Sequence, residues 1–177
     1  MISSLNRLGI RILGVTGEGK NEKGQVLDVP IIGNDDEINK WGPEEIWLVN
    51  GIGMPAPGFS KRHACAERFR AFGFRFLAVV DPTAVISPDV IISEGVQVMA
   101  GVVVQPGTSI GKDAIVNTGA RIDHDCFIGD GSHICPGATL AGSVKVGEQS
   151  LVGSGATIIP NVRVSERSLV RAGSLML

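Results

Sequence analysis

The chain has 177 residues, 24 of them glycine and none tyrosine, with 5% aromatic residues and a formal net charge of −2. That length allows one domain or two small ones, and the near-neutral charge gives no electrostatic reason to expect nucleic acid or an anionic membrane surface. No apolar stretch approaches the roughly 20 residues of a membrane-spanning helix, the first residues carry no secretory signal, and Cys65, Cys126 and Cys135 read as free thiols of a reducing cytoplasm.

In chain order, "SSLNRLG" predicts the end of a helix closed by Gly9, and "IRILGVT" a buried strand. "GEGKNEKGQVLD" reads as a polar loop and "VPIIG" as a short strand. In "NDDEINKW", Asn34 or Asp35 is placed to cap a helix. "EIWLVN" reads as a further strand, "GIGMPAPG" as a loop, and "SKRHACAERFRAFG" as an amphipathic helix ending at Gly73. Residues 1–79 therefore predict a small α/β unit with a parallel sheet. It begins on a helix, whereas nucleotide-binding sheets begin on a strand.

From Val80 the pattern changes. Every sixth residue, through Ile86, Ile92, Val98, Val104, Ile110, Val116 and Ile122 to Val170, is aliphatic, sixteen in all without a gap. Four residues after each stands a small or β-branched residue, among them Ala114, Ala120, Cys126 and Ser132. A six-residue period of this kind predicts a parallel β-helix. Each unit is a short strand and a corner, and three units make one 18-residue triangular coil. The aliphatic residue points inward, where burial contributes about 1.5–3 kcal/mol, and strands of successive coils stack about 4.8 Å apart. About five coils fit within residues 80–177.

The frame decides which side chains face outward. Asp123, His124 and Asp125 follow Ile122 and occupy a corner. Aspartate suits corners in any protein, and a histidine between two of them could be accidental. The chemical reading is that a neutral imidazole can take a proton and that a flanking carboxylate supports the imidazolium so formed. Gly142, 18 residues on, falls at the same corner one coil above. A bare glycine there would leave space and a backbone N–H that could polarise a carbonyl, although glycine at a corner is also ordinary turn chemistry. Cys126 falls in an inward slot as filler, Cys135 has no base evident beside it, and His63 lies on the polar side of its helix.

The stretch "VNTGARIDHDCFIGDGSHICPGATLAGSVKVG", preceded by "DPTAVISPDVIISEGVQVMAGVVVQPG", resembles the sialic-acid O-acetyltransferase and nucleotide-amino-sugar N-acetyltransferase family. "VPIIGNDDEI" and "WLVNGIG" extend the likeness to the N-terminal part. The resemblance implies a left-handed β-helix over residues 80–177, preceded over residues 1–79 by a shortened Rossmann-like nucleotide-sugar domain. The hand comes from the resemblance alone, since crossover physics favours the opposite one. A cytoplasmic homotrimer is implied, with acetyl-CoA in the groove between neighbouring β-helices and no metal. On matching positions, His124 is the general base, Asp125 the acid that tunes it, and Gly142 the amide facing the thioester carbonyl. His133, Ser154 and Ala172 match acetyl-CoA contacts. His133 taken alone reads as a solvated surface histidine. Gly53, in a G-x-G-x-x-A loop, is either a nucleotide-sugar contact or a structural turn. Asn117 belongs to the motif without an assignable role.

The chain departs from the pattern at both ends: the family's opening strand and Gly-rich loop are missing, and the last coil stops at Leu177, where a solenoid needs covering. The expected activity is transfer of acetyl from acetyl-CoA to the amine of a nucleotide-linked amino sugar, by direct attack. Three alternatives stand beside it: a sugar O-acetyltransferase, a non-catalytic trimeric remnant, and a zinc enzyme resembling carbonic anhydrase. The last needs three ligands, against two histidines nine residues apart in the repeat.

Overall fold

A computed structural model describes residues 1–17, 24–58 and 60–177. Helix α1 (Ile2–Arg7) ends through Gly9 at φ +69°, where the N–H groups of Gly9 and Ile10 donate back to Asn6 and Leu5. The strand expected over "IRILGVT" shrinks to β1 (Val15–Thr16), and Ile10 and Leu13 are exposed rather than buried. Its register slips between Val15 and Thr16, which limits pairing with its neighbour. The polar stretch that follows is not all loop. Residues 18–23 lie outside the described residues, but β2 (Gln25–Val26) folds back on β3 (Val29–Gly33) as a hairpin. Leu27 and Asp28 turn it with φ of +46° and +66°, the left-handed pair that a two-residue hairpin demands.

Asn34 caps a 3-10 helix over Asp35–Lys40, its side chain accepting the Asp36 N–H at 2.9 Å. "EIWLVN" contributes a single parallel bridge, Leu48 to Phe76, instead of a strand. Helix α2 (Ser60–Ala71) runs to the turn at Gly73, and its Ala66 and Phe69 are buried with Phe74 and Phe76. Among the described residues the N-terminal sheet is β1–β3–β2, parallel then antiparallel. The parallel α/β sheet expected there is thus reduced to one strand pair and one bridge.

From Val79 onward the chain forms three walls of stacked two-residue strands, six in the first, six in the second and five in the third. The pairing is parallel and spaced by 18: Val116 between Val98 and Ile134, Ile122 between Val104 and Leu140, Ile128 between Ile110 and Val146. The sixfold aliphatic series fills the interior with the small residues between them, and Val96 to Val170 form one buried cluster. Five full coils and most of a sixth are present, slightly more than the spacing suggested.

The walls differ outside. On the first, the outward residues Val79, Gln97, Ile115 and Leu151 are buried, because the N-terminal segment lies against them. Gln97 donates to the Asn50 carbonyl at 2.7 Å, and Met54 packs with Cys135 and Leu151. Arg62 of α2 is buried and donates to the carbonyls of Asn50 (2.8 Å) and Ile52 (2.6 Å). Arg70 forks onto both oxygens of Asp113 at 2.7 and 2.9 Å. At the base, α1 docks through Ser4 and Arg7 onto the buried carboxylate of Asp81, in the corner of the first coil. The second and third walls are bare, with Val85, Ile91 and Phe127 exposed. At the other end Leu175 and Leu177 are exposed.

Candidate active site

Three edges join the walls. Corners between the second and third walls stack Pro106, His124, Gly142 and Pro160 in one column, each 18 residues from the next. His124 is therefore on an outer edge, as its place in the frame predicts. Asp123 Oδ1 accepts the His124 backbone N–H at 2.8 Å, fixing the corner. Asp125, at φ +57°, donates its own N–H to the Pro106 carbonyl and turns its carboxylate back on the ring. Oδ2 lies 2.8 Å from His124 Nδ1. A carboxylate can only accept, so Nδ1 carries the proton and Nε2 is left as the basic nitrogen. The bond to Asp125, helped by the charges of Asp123 and Asp125, raises the imidazole pKa above its ordinary value.

Gly142 does not leave open space above His124, as the sequence suggested. The imidazole itself fills it: a Cβ built on Gly142 would fall 2.6 Å from Nε2 and 2.7 Å from Cε1. Gly142 is buried under the ring. Its carbonyl accepts from Asn161, while its N–H has no acceptor among the described residues. Corner chemistry explains this. Asp123 and Asn117 each cap the N–H of the residue that follows, as Asx side chains do. The residue before Gly142 is Ala141, which cannot.

Asn117 and His133 meet each other, not His124. Asn117 Nδ2 lies 3.1 Å from His133 Nε2, and His133 Nδ1 lies 3.3 Å from the Met54 carbonyl. With a carbonyl to satisfy at Nδ1 and an amide N–H₂ facing Nε2, the ring is the neutral Nδ1–H tautomer. Burial, with Arg62 nearby, lowers its pKa although the bond to Met54 opposes this. His133 is thus half-buried and engaged at both nitrogens, and it ties the first wall to the loop containing Gly53. Gly53 itself is exposed with nothing within 4 Å of an added Cβ.

Ser154 and Ala172 stack at the edge between the first and second walls, above the corner of Asn117. Both are exposed, and neither backbone N–H has an acceptor among the described residues. The residues before them, Gly153 and Arg171, again lack a capping side chain. Gly137, Gly155 and Gly173 line the same edge with nothing within 4 Å of an added Cβ. This edge carries two exposed residues whose N–H groups have no acceptor among the described residues, one wall away from His124.

Cys126 is an inward filler whose thiol points to the Ala141 carbonyl, and burial raises the pKa of Cys126 and Cys135 alike. His63 is exposed. Among the described residues no three His, Cys, Asp or Glu side chains converge on a metal site, and no helix is long and apolar enough to cross a membrane. The sequence reading missed Arg62, whose guanidinium is pushed down to about 10 by burial against the pull of Asp113. Its signal was available: Arg62 and Arg70 share one face of α2, opposite a wall whose outward residues are mostly apolar.

The family described as bacterial transferase hexapeptide (six repeats) matches residues 125–160. No curated protein sequence matches the chain. Among solved structures, a histidine-to-asparagine variant of perosamine N-acetyltransferase from Caulobacter crescentus, in complex with CoA and GDP-perosamine, is 34% identical with a TM-score of 0.90. The match covers 99% of this chain and 81% of that one. The acetyltransferase domain of PglB from Neisseria gonorrhoeae, in complex with acetyl coenzyme A, is 32% identical with a TM-score of 0.91, over 99% of this chain and 83% of that one. WeeI from Acinetobacter baumannii, 21% identical at a TM-score of 0.61 over 86% of this chain and 76% of that one, shares the fold. The three walls are those of the left-handed β-helix of such transferases. With an unbroken hexapeptide frame and at least 32% identity over four-fifths of two acetyltransferases, the chain belongs to the hexapeptide-repeat acyltransferase family.

Proposed function

We propose that this enzyme transfers an acetyl group from acetyl-CoA to the amine of a nucleotide-linked amino sugar, with His124 as general base. The observation that carries the reading is the grouping of Asp125, His124 and Gly142: a carboxylate on Nδ1, a basic Nε2, and a glycine close against the same ring whose N–H has no acceptor among the described residues. The perosamine enzyme's complex with CoA and GDP-perosamine and the PglB domain's complex with acetyl coenzyme A support both substrates.

The amine nitrogen attacks the thioester carbonyl carbon while Nε2 takes its proton. Asp125 stabilises the imidazolium formed at that moment, and the Gly142 N–H donates to the developing oxyanion. Collapse breaks the C–S bond, and the CoA thiolate leaves and takes up a proton. No acyl-enzyme is needed, because Cys126 is buried filler and Cys135 packs against Met54 and Leu151.

The Ser154 and Ala172 edge supplies two backbone donors to the amide-bearing arm of acetyl-CoA. It stands on a different edge from His124, so a cofactor touching both spans two copies of the chain. A cytoplasmic homotrimer with one cofactor in each groove satisfies that geometry. Gly53, on the loop that His133 holds to the first wall, faces the acceptor. His124→Ala should remove most acetyl-CoA-dependent thiol release with a nucleotide-amino sugar while leaving the β-helix folded by circular dichroism. Undiminished release by that variant contradicts the assignment, and CoA binding without turnover on any such sugar would favour a scaffold.

A further inference from the structure

We infer that Gly107 is a positioning residue for the catalytic pair, acting by leaving the clearance in which the Asp125 carboxylate turns toward His124. This rests on the reading of His124 as the base. Gly107 is directly beneath Asp125, 18 residues earlier on the same edge. A Cβ built on it would overlap Asp125 Oδ1 and come within 3.3 Å of the carboxylate carbon and 3.4 Å of the backbone nitrogen. The carboxylate whose Oδ2 holds His124 Nδ1 at 2.8 Å therefore rests its other oxygen over a bare Cα.

Backbone conformation does not explain the glycine. Gly107 has φ +73°, but the next three residues of its column are Asp125, Ser143 and Asn161, at +57°, +60° and +66°. Non-glycine residues hold the left-handed corner there, at the modest cost such residues carry. A carboxylate rests over a bare glycine also where Gly95 lies beneath Asp113; at Gly107 the carboxylate above is the one that holds the His124 ring. The position of Gly107 is held from below, where Asp89 Oδ2 accepts the Gly107 N–H at 2.7 Å. Asp89, Gly107 and Asp125 thus form a vertical stack in which each coil seats the next, and Asp125 meets His124 beside it in the same coil.

A Cβ at 107 overlaps Asp125 Oδ1, so the carboxylate must leave the position in which it meets the ring. The ionisable groups beside the imidazole are Asp123 and Asp125. The corners stacked above and below present Gly142, Ser143, Gln105, Pro106 and Gly107, none of which titrates. Displacing Asp125 therefore removes the main support of the imidazolium.

The experiment is an NMR titration of His124 in the intact chain, paired with the pH profile of kcat/KM. In Gly107→Ala the His124 pKa should move down toward its value in Asp125→Asn, and kcat/KM at neutral pH should fall by roughly tenfold or more, as loss of a charge-assisted hydrogen bond implies. In an Asp125→Asn background, Gly107→Ala should change kcat/KM by no more than about twofold, because the two act as one unit. Gly131→Ala controls for backbone strain: its φ is +63°, and an added Cβ makes only ordinary contact, 3.5 Å from Gln149. It should leave both readouts unchanged. If Gly107→Ala does not fold, Gly107→Asn carries the same Cβ with a residue that the column accepts at 161. A wild-type His124 titration in the Gly107 variant, or an equal loss with and without Asp125, overturns the proposal. Wild-type chain inactive on every amino sugar would instead overturn the reading of His124 as base, and the titration would still decide the role of Gly107.

Discussion

Gly142→Ala tests how tightly the base is built. The backbone at Gly142 is not in the left-handed region, so alanine adds no conformational strain, and it keeps the N–H. The change is one methyl group, placed 2.6 Å from His124 Nε2 and 2.7 Å from Cε1. Carbon and nitrogen atoms at rest stand about 3.5–4 Å apart, so the ring must retreat by about 1 Å. A displacement of that size at a reacting atom costs roughly a hundredfold in rate. The imidazole is at the surface, with 58% of its side chain exposed, and can swing out without disturbing the core. We therefore expect kcat for acetyl-CoA-dependent acetylation to fall about a hundredfold with thermal stability unchanged. In a His124→Ala background the same substitution should cost little more, since there is no ring left to move. A Gly142→Ala enzyme with near-wild-type kcat, or an equal loss with and without the imidazole, would refute the stacked geometry as the source of activity.

Asp125→Asn should shift the acid limb of kcat/KM to lower pH. The carboxylate raises the pKa of His124, so the wild-type base becomes available only as pH rises through a value above the ordinary one; a limb that stays put contradicts the pairing. Arg62→Leu leaves the half-buried Ile52 carbonyl without its Arg62 donor, while Gln97 still serves the Asn50 carbonyl, and should cost about 1–3 kcal/mol in denaturant unfolding, the range for one unsatisfied group; no loss would mean the loop is held otherwise. His133 has a native pKa below its ordinary 6.5, so the unfolded chain binds its proton first as pH falls. Stability should decline from about pH 6.5 toward the native value, and His133→Gln should flatten that decline in a series of thermal melts.

The β-helix was legible because its signal is periodic. Ile122 and Leu140 stack in register because both are inward at the same step of an uninterrupted six-residue count, and no insertion shifts the frame. The same count put His124 outside and Gly142 above it. What it could not give is which way a ring leans: the clearance over Gly142 is a contact between an imidazole and a bare Cα, invisible to spacing. His133 and Asn117 needed a partner from another part of the chain, since one nitrogen of His133 is occupied by Met54, 79 residues away. The N-terminal strands were misread for a related reason. "IRILGVT" and "EIWLVN" have the apolar residues of strands, but β structure is set by neighbours as much as by propensity, and among the described residues each finds little to pair with. Trp47 is half exposed, with Arg75 stacked 4.3 Å from its ring instead of a second strand.

The central claim is acetyl transfer to nitrogen by a base at position 124, and product chemistry tests it most directly. The intact chain, acetyl-CoA and a panel of nucleotide-linked amino sugars should give one CoA thiol per acetylated sugar, with the acetyl on an amide that survives hydroxylamine. His124→Ala should give almost none. A hydroxylamine-labile ester as the product, or thiol release that is independent of both the sugar amine and His124, would contradict the account.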